Sequence, residues 1–529
     1  MRPFLLSLLL CLPMQAEVPV IPLPLTMREQ AVDFSLEGAA ASGAPDPLFL
    51  ELLSEAAGQT IKADPAGKIR FLPVGNIAIS SAEGYVLKIG KDKIEINAPS
   101  PAGHFYGLQT LLQLMRSAPR DGNTVHFPCS LLADQPRFAW RGFMLDESRH
   151  FSGELAVKRL IDAMARYKLN RLHWHLTDSA GWRIEIKRYP KLTTIGGRGN
   201  ESDRSAKAPV GYYTQEQIRA IVAYAKQRNV TIIPEIDMPG HADAAIAAYP
   251  QHDGGGYLQP NSKEKWPHFT FNPAKKETLE FLDNILKEVA TLFPDAGVIH
   301  MGGDEVHFGW KQWTELPEVK ELMEREKLKD LAAVETWFSK RMAKTVNGLG
   351  FSAGGWDEIA SRGLPKDKTL VFWWRHDKPQ VLEQALAEGY PVVLCPRRPC
   401  YFDFVQDDSH KTGRRWGGFN TLADTYRFPA DLKLSTGDEK LVRGVEACLW
   451  TETCLTQARR DFMTWPRLVA LAETGWTKEE RKDYASFETR LPTELAWLKS
   501  HGIQAYDPFA KSPEVGDLGA KPEYPDRPD

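Results

Sequence analysis

Two adjacent carboxylates, Asp304 and Glu305, are the residues of this sequence whose types and position best suit chemistry. They follow an apolar run and a glycine pair in residues 298–310, VIHMGGDEVHFGW. Neighbouring side chains on a regular strand point to opposite faces, so both carboxylates can serve one site only if the strand ends or kinks here. Gly302 and Gly303 permit such a break. The segment therefore predicts a functional carboxylate pair, and the competing interpretation is a solvated acidic turn.

Carboxylates, histidines and tryptophans recur near the ends of the other apolar segments of the chain. Each of eight predicted strands leads into at least one such residue. The residues are Asp146, Arg149, His150, His175, Asp178, Glu235, Asp237, His241, Asp304, Glu305, Trp356, Asp357, Glu358, Trp374, Arg375, Tyr401, Asp403, Trp450 and Glu452. Tryptophan offers flat apolar faces for stacking, and carboxylates accept hydrogen bonds from hydroxyl groups. Their recurrence at all eight strands predicts a carbohydrate pocket.

The elements that position these residues alternate between strand and helix patterns. The predicted strands cover residues 141–146, 171–177, 231–236, 298–301, 352–356, 369–374, 391–394 and 444–449. Helical spacing follows a predicted Ser152 cap, and Thr214 with Gln217 forms a capping-box pattern. This order predicts an α/β fold with a (β/α)8 TIM barrel, whose chemistry sits at the C-terminal ends of its strands. No glycine-rich phosphate fingerprint follows the first strand, which argues against a nucleotide site.

A smaller α+β domain is predicted ahead of the barrel. Tyr85, Leu87 and Ile89 alternate with polar residues, and Ile94 and Ile96 do the same after a polar turn, which is a hairpin pattern. An apolar helical face follows, and a polar stretch with proline ends the domain. The predicted division is a signal peptide at 1–16, the α+β domain at 17–135, the barrel at 136–505 and a loose tail at 506–529.

The first residues, MRPFLLSLLLCLPMQAE, place Arg2 ahead of a short apolar run. The run is too short to cross a bilayer, so it predicts a signal peptide cleaved near Ala16 and a secreted or periplasmic protein with no integral membrane segment after cleavage. A lipoprotein anchored at Cys11 is the less favoured alternative. Five other cysteines remain, an odd number that leaves a free thiol and excludes a dense disulfide framework. The net charge of −3 argues against nucleic acid or an anionic membrane as partner.

The segment HMGGDE resembles the signature of family 20 glycoside hydrolases, the β-N-acetylhexosaminidases. Other segments match the family in the same order: WRGFMLDESRHF, LHWHLTDSAGWRIEI, PEIDMPGHADAA, GGWDE, YFDF and ACLWTE. The resemblance covers residues from about 136 to 475, and the first domain resembles the small α/β domain of the family. One departure is Ser179, where the family often has a second aspartate after Asp178. This residue bears on a supporting contact or on the acceptance of distal sugars.

The resemblance implies an exo-acting, retaining enzyme without cofactor or metal. It would remove β-linked N-acetylglucosamine or N-acetylgalactosamine from the non-reducing ends of oligosaccharides or glycoconjugates. Its nucleophile would be the substrate's own acetamide, whereas ordinary retaining glycosidases use a carboxylate of the enzyme. Glu305 would protonate the leaving oxygen and later activate water. Asp304 would orient the acetamide and balance the oxazolinium charge, and Tyr401 would donate to the acetamide oxygen.

The same resemblance implies the other substrate-binding and supporting residues. The hydroxyl-binding residues would be Arg141, Asp403 and Glu452. The residues that wall the sugar and its acetamide methyl would be Trp356, Trp374 and Trp450. The relay that supports Glu305 and tunes its pKa would be Asp178 and His241. Residues interpreted as structural or as barrel-rim hydrogen bonding are Arg149, His150, His173, His300 and Trp373.

Two other functions fit parts of the pattern. The first is a catalytically silent carbohydrate-binding protein of the same fold, which would bind an aryl N-acetyl-β-glucosaminide without turning it over. The second is metal-assisted hydrolysis, with His173, His175, His241 and nearby acidic residues as ligands. A His-x-His pattern on a strand can offer two ligands on one face. Activity that survives a chelator would exclude the second.

Overall fold

The computed structural model describes residues 19–28, 30–75, 79–258, 265–266, 268–410, 413–415 and 418–510. The predicted signal peptide and Cys11 lie outside the described residues, as does the tail from residue 511 onward. The chain divides into two compact units, one built mainly from Pro24–Gln135 with Ala485–Thr493, the other mainly from Pro136–Tyr484. None of the helices in the described part of the chain combines the length and apolar character needed to cross a membrane.

The first unit is a mixed α+β arrangement. Its seven-stranded sheet has the order Thr26–Arg28, Leu131–Asp134, Tyr85–Ile89, Ile94–Ala98, Ile69–Pro73, Ala40–Ser42 and Lys62–Ala63. A three-stranded sheet has the order Val32–Ser35, Thr124–Phe127 and Arg120–Asp121. The helices are Leu48–Ala57 and Pro101–Ser117. The predicted hairpin is confirmed, since Leu87 pairs with Ile96 in an antiparallel register.

The second unit contains a closed barrel of eight parallel strands. In chain order, the barrel strands are Trp140–Asp146, Arg171–His175, Thr231–Glu235, Val298–His300, Ser352–Trp356, Thr369–Trp373, Val392–Leu394 and Val442–Leu449. The predicted (β/α)8 barrel is therefore confirmed. All seven residues of the first strand are buried, as expected for parallel strands covered on both faces.

Helices and short strand pairs connect the barrel strands. The α-helices after the first strand are Glu154–Arg166, Lys191–Thr194, Gln215–Gln227, Asp243–Ala248, Lys276–Leu292, Trp310–Trp313, Pro317–Glu326, Leu331–Gly348, Pro379–Glu388, Arg397–Cys400, Leu422–Arg427, Thr436–Glu439, Gln457–Thr464, Arg467–Trp476 and Tyr484–Ser500. The 3-10 helices are Pro250–His252, Val306–Gly309, Asp357–Arg362, Lys366–Lys368, Ala430–Leu432 and Glu479–Arg481. The short antiparallel pairs are Thr177–Asp178 with Gly181–Trp182, and Tyr257–Leu258 with Lys265–Trp266.

The two predicted helix starts have opposite outcomes. The Thr214 capping box is confirmed, because its hydroxyl accepts from the Gln217 backbone and the Gln217 side chain accepts in return. The Ser152 cap is wrong. Gly153 is the N-cap, with φ of 85°, and the Ser152 backbone N–H instead donates to Glu147 Oε2 at 2.7 Å.

The predicted start of the tail at residue 506 is also too early. Tyr506 is only 6% exposed, and its backbone N–H donates to the Trp465 carbonyl at 3.1 Å. Its ring packs against Phe462 at a centroid distance of 5.5 Å. The aromatic side chain therefore continues the packing of the barrel unit past the predicted boundary.

Candidate active site

The fourth barrel strand ends at His300, and a tight backbone turn then presents Asp304 and Glu305. Gly302 and Gly303 have φ of 65° and 89°, and Glu305 itself has φ of 55°. A Cβ on Gly302 would lie 1.8 Å from Asp237 Oδ1, so only glycine fits there. The predicted break in the strand is therefore present. The left-handed conformation is unfavourable for a residue such as glutamate, and such strain is concentrated at functional sites.

His241 lies beside both carboxylates. Its Nε2 atom is 3.5 Å from Asp304 Oδ2 and 3.7 Å from Glu305 Oε2, while its Nδ1 atom is 3.1 Å from Asp178 Oδ1. Burial alone would lower the pKa of His241, but Asp178, Asp304 and Asp237 outweigh burial and raise this pKa well above its usual value. The ring thus lies between the acid pair and Asp178, and these neighbours favour its cationic form.

Glu305 is suited to carry a proton. Its side chain is 41% exposed, so substrate can reach it, yet the carboxyl group sits among protein atoms. This burial raises the pKa of Glu305, Asp304 raises it further, and His241 opposes the rise. Asp304 Oδ1 is buried and has no hydrogen-bond partner among the described residues. Glu305 therefore keeps its proton to higher pH than an ordinary glutamate, while Asp304 presents an unused acceptor atom.

Asp178 joins this group to a guanidinium and to a second histidine. Its Oδ2 atom is 2.7 Å from Arg149 Nη2 and 3.0 Å from His175 Nε2. Burial opposes ionisation of Asp178, but Arg149 and His241 hold its pKa well below the usual range. Asp178 therefore stays ionised between His241 and His175.

Glu235 extends the same alternation of carboxylates and imidazoles into the barrel interior. His175 Nδ1 lies 2.5 Å from Glu235 Oε2, His173 Nε2 lies 3.1 Å from the same oxygen, and His300 Nδ1 lies 2.9 Å from Oε1. Trp356 donates to Oε1 at 2.9 Å. Burial would raise the pKa of Glu235, but the three histidines lower it. Glu235 is one of the strand-end residues named above, but no individual role was predicted for it.

Four aromatic side chains come together next to the acid pair. The Trp374 and Tyr401 rings are 6.4 Å apart and nearly parallel, at 9°. Trp450 lies 6.0 Å from Tyr401 and 5.7 Å from Trp356. Burial raises the pKa of Tyr401 well above its usual value, so its hydroxyl remains a donor at all working pH values. The four predicted pocket residues are thus brought to one place. Trp374 is held there by donating to Glu358 Oε2 at 3.0 Å.

Asp403 and Glu452 also meet, and Arg414 lies against both. Arg414 Nη1 is 2.7 Å from Asp403 Oδ2, and its Nη2 is 3.3 Å from Glu452 Oε1. Arg149 Nη2 approaches the same Glu452 oxygen at 4.0 Å, and its guanidinium lies 5.0 Å from the centroid of the Trp450 ring. The structure therefore connects these carboxylates with Asp178 through Arg149. Arg414 was not singled out in the sequence analysis.

The prediction that Arg141 binds sugar hydroxyls is wrong. Arg141 is the second residue of the first strand, so it lies at the end of the barrel opposite the carboxyl ends. It is fully buried, and its guanidinium donates to the carbonyls of Lys168 and Phe138, each at 2.7 Å, and packs over the Trp476 ring. Arg149, which was interpreted as a rim residue, is the arginine at the carboxylate cluster.

Other predicted structural residues bond within the protein. His150 contacts the Thr451 carbonyl at 2.6 Å and the Ser202 hydroxyl at 2.9 Å. Ser179, the departure from the family pattern, donates its hydroxyl to Asp243 Oδ2 at 2.6 Å. The five cysteines of the described residues are buried, and no disulfide joins any two of them.

The histidines of the metal alternative do not converge on one position. Among the described residues, His173, His175 and His241 fall into three different groups of possible ligands, two of which share Asp237. Both ring nitrogens of His175 face carboxylates, and these neighbours overcome the effect of burial and raise its pKa well above the usual value. A protonated imidazole has no lone pair for a metal. The arrangement therefore favours hydrogen-bonded positioning of the acid pair.

Two β-hexosaminidases are among the proteins that resemble this chain. A β-hexosaminidase of Porphyromonas gingivalis is 36% identical over 466 residues, which cover 86% of this chain and 58% of that protein. A β-hexosaminidase of Vibrio furnissii is 37% identical and matches 74% of this chain and 65% of that protein. The chain thus spans less than two thirds of the length of these two relatives.

A solved structure agrees with the sequence matches. The GH20 exo β-N-acetylglucosaminidase from Vibrio harveyi, in complex with N-acetylglucosamine, aligns with a TM-score of 0.84 and 33% identity. The alignment covers 93% of this chain and 79% of that chain. Residues 138–479 match the model of the glycosyl hydrolase family 20 catalytic domain, and residues 17–135 match the model of domain 2 of that family. The chain therefore belongs to glycosyl hydrolase family 20.

Proposed function

We propose that this protein is an exo-acting, retaining β-N-acetylhexosaminidase that cleaves terminal β-linked N-acetylglucosamine or N-acetylgalactosamine by substrate-assisted catalysis. One observation carries the proposal. Glu305, whose side chain is 41% exposed and whose pKa is raised, stands next to Asp304 and His241, and the charge of Asp304 acts on Tyr401 within the group of aromatic rings. The relatives named above and the family membership support the same reaction.

In the first step, the acetamide oxygen of the substrate attacks the anomeric carbon. The bond to the leaving oxygen breaks, and Glu305 transfers its proton to that oxygen. Asp304 accepts from the acetamide N–H and balances the positive charge of the oxazolinium ion. Tyr401 donates its hydroxyl to the acetamide oxygen, a role that suits its raised pKa.

In the second step, water opens the oxazolinium ion. The Glu305 carboxylate accepts a proton from the water as its oxygen bonds to the anomeric carbon, and the bond to the acetamide oxygen breaks. Two displacements at one carbon retain the β configuration, and Glu305 ends protonated for the next cycle. His241 and Asp178 hold Glu305 and Asp304 in position during both steps.

Selectivity for the acetamide tests the proposal directly. The acetamide is both recognition group and nucleophile, so its removal should cost turnover as well as binding. A β-glucoside would leave the buried partners Asp304 and Tyr401 unpaired, at about 1–3 kcal/mol each, before the lost nucleophile is counted. We expect negligible hydrolysis of 4-nitrophenyl β-glucoside beside ready hydrolysis of the 2-acetamido analogue, measured as kcat/KM.

An N-acetyl thiazoline, which mimics the cyclised intermediate, provides the matched inhibitor. The thiazoline should inhibit competitively. Tyr401→Phe should weaken its binding, and a smaller residue in place of Trp450 should weaken its binding further. Comparable rates on the two aryl glycosides, or indifference to the thiazoline, would contradict the mechanism. Binding of the acetamido substrate without turnover would instead favour the alternative function, a catalytically silent carbohydrate-binding protein.

Substitution of Arg141 should affect stability, whereas substitution of Arg149 should affect activity. Arg141→Met leaves the buried carbonyls of Lys168 and Phe138 without this donor, so we expect a lower Tm, with a cost of about 1–3 kcal/mol per unsatisfied group, and an unchanged KM. Arg149→Met should lower kcat/KM, since it removes the cation next to Asp178 and Glu452. Thermal melts and kinetics on the folded variants measure both effects. A raised KM in folded Arg141→Met would restore a sugar-binding role for this arginine.

The proposed function also concerns the substrates, the domain division and the location of the protein. Its substrates are N-acetylhexosamine-terminated oligosaccharides or glycoconjugates, and nucleic acid is not among its partners. We propose the division into residues 17–135 and 136–505, with packing that extends to Tyr506 at the C-terminal side. The predicted signal peptide would direct the protein to the periplasm or the exterior, and cell fractionation with mass spectrometry of the mature N-terminus tests this location.

A further inference from the structure

Arg414 occupies a position that the proposed reaction has not used. It comes from the segment that follows the seventh barrel strand, and its side chain is 8% exposed. The Val405 backbone N–H donates to the Arg414 carbonyl at 3.1 Å, and Phe404 and Arg414 form a parallel bridge. Gly413 precedes it with φ of 125°, and a Cβ there would lie 2.5 Å from the Val405 side chain. The backbone is thus tied close to Asp403.

The guanidinium reaches two carboxylates at once. Its Nη1 atom lies 2.7 Å from Asp403 Oδ2, and its Nη2 atom lies 3.3 Å from Glu452 Oε1. Both oxygens of Asp403 and Oε2 of Glu452 are buried and have no hydrogen-bond partner in the part of the chain that the structure describes, so Arg414 holds Asp403 by an ion pair. A planar fork of donors suits two acceptors better than a point charge does. Each carboxylate is therefore held on one side and left with a free acceptor on the other.

We propose that Arg414 is a positioning residue that holds Asp403 and Glu452 as paired acceptors for hydroxyl groups of the bound sugar, an inference that rests on the proposed function. Unpaired buried acceptors are costly, and a sugar hydroxyl would satisfy them. Arg414 itself donates to the protein and acts on the sugar through the two carboxylates.

The electrostatics of the cluster agree with this role. The pKa of Asp403 is raised to about 7 in all, because burial and the charge of Glu452 raise it more than Arg414 and Arg467 lower it. Burial also disfavours ionised Glu452, but Arg414 and Arg149 lower its pKa to about 2. The Cys454 thiol is a further titratable group near Asp403. Without Arg414, the pKa of Asp403 would rise, so its ionised form would be lost at a higher pH than in the wild type.

Arg414→Met tests the proposal on three substrates: 4-nitrophenyl N-acetyl-β-glucosaminide and its 4-deoxy and 6-deoxy analogues. We expect kcat/KM on the parent to fall about 10- to 100-fold, as for a hydrogen bond to a charged group. On an analogue that lacks the hydroxyl bound by Asp403 or Glu452, the variant should lose less kcat/KM than on the parent, because one of the two contacts that Arg414 supports is absent in both proteins. The acidic limb of the pH profile should move to higher pH on the parent.

Two further variants serve as controls. Arg414→Lys keeps the charge without the fork, so it should lose less activity and keep the acidic limb near the wild-type position; it also carries the test if Arg414→Met does not fold. Arg415→Met is the matched control, because it removes the same charge from the neighbouring residue of the same loop. Arg415 pairs with the exposed Asp408 at 3.0 Å and is 30% exposed, so this variant should retain wild-type kinetics on all three substrates.

The outcomes separate this inference from the proposed function. Equal losses on the parent and both deoxy analogues would show a purely structural role and overturn the proposal, as would an Arg414→Met variant with wild-type kcat/KM. Calorimetric binding of N-acetylglucosamine, weakened in Arg414→Met and not in Arg415→Met, would support it even if turnover proved absent. Wild-type protein that neither cleaves the parent substrate nor binds N-acetylglucosamine would overturn both.

Discussion

Glu305→Gln is expected to lower kcat on an N-acetylated disaccharide by about 100- to 10,000-fold, the usual contribution of a general acid–base group. Glutamine keeps the shape and the hydrogen-bonding reach of Glu305 but cannot give a proton to the bridging oxygen. The raised pKa of Glu305 keeps its proton to higher pH than an ordinary glutamate would. Wild-type kcat/KM should therefore fall as pH rises through that pKa, and this limb should be missing in the variant.

The leaving group provides the control for this variant. The 2,4-dinitrophenolate of a 2,4-dinitrophenyl glycoside leaves with little protonation. Glu305→Gln should therefore slow the first step far less with this substrate than with the disaccharide. Product binding should be kept, because the substitution leaves the pocket wall intact. A loss below about tenfold on the disaccharide, in folded protein, lies outside the range of general acid–base catalysis and would remove Glu305 from that role.

Asp304→Asn should lower kcat by about 100- to 1,000-fold, comparable with the loss of one preorganised electrostatic contact in a transition state. The amide is neutral, so it cannot balance the positive charge that develops on the cyclising acetamide. It also changes the surroundings of His241, whose Nε2 atom lies 3.5 Å from Asp304 Oδ2. Single-turnover kinetics with the 4-nitrophenyl acetamido substrate would measure the loss in the cyclisation step.

An attempt to trap a covalent glycosyl-enzyme distinguishes this role of Asp304 from that of a conventional nucleophile. A retaining glycosidase with a carboxylate nucleophile forms a covalent glycosyl-enzyme. With a fluorinated acetamido sugar, we expect no adduct on Asp304 or any other carboxylate in the intact-mass spectrum. An adduct mapped to Asp304 would show that the enzyme itself, and not the acetamide, attacks the sugar.

The barrel and its central acid pair could be predicted from local patterns. The first and eighth strands, predicted at 141–146 and 444–449, were found at Trp140–Asp146 and Val442–Leu449. Apolar runs of strand length, separated by segments with helical periodicity, are compatible with few folds other than the (β/α)8 barrel. Because the chemistry of such a barrel lies at the carboxyl ends of its strands, the position of Asp304 and Glu305 followed from the strand pattern.

The error at Arg141 has a physical cause in the same strands. A strand covered on both faces has no alternation of apolar and polar residues, and all seven residues from Trp140 to Asp146 are buried. The sequence therefore does not show which side chains point into the barrel. The structure turns Arg141 toward Trp476 on the outside and places Arg149 in the loop beyond the strand, beside Asp178.

The sequence by itself determined the fold, the acid pair and the aromatic types of the pocket, because each depends on residues close together in the chain. Only the tertiary structure decided what holds them. Glu235 meets His175 across 60 positions of sequence, and Arg414 reaches Glu452 across 38. Such contacts arise where strands and loops distant in sequence converge at one end of the barrel, and no local spacing encodes which partners will meet there.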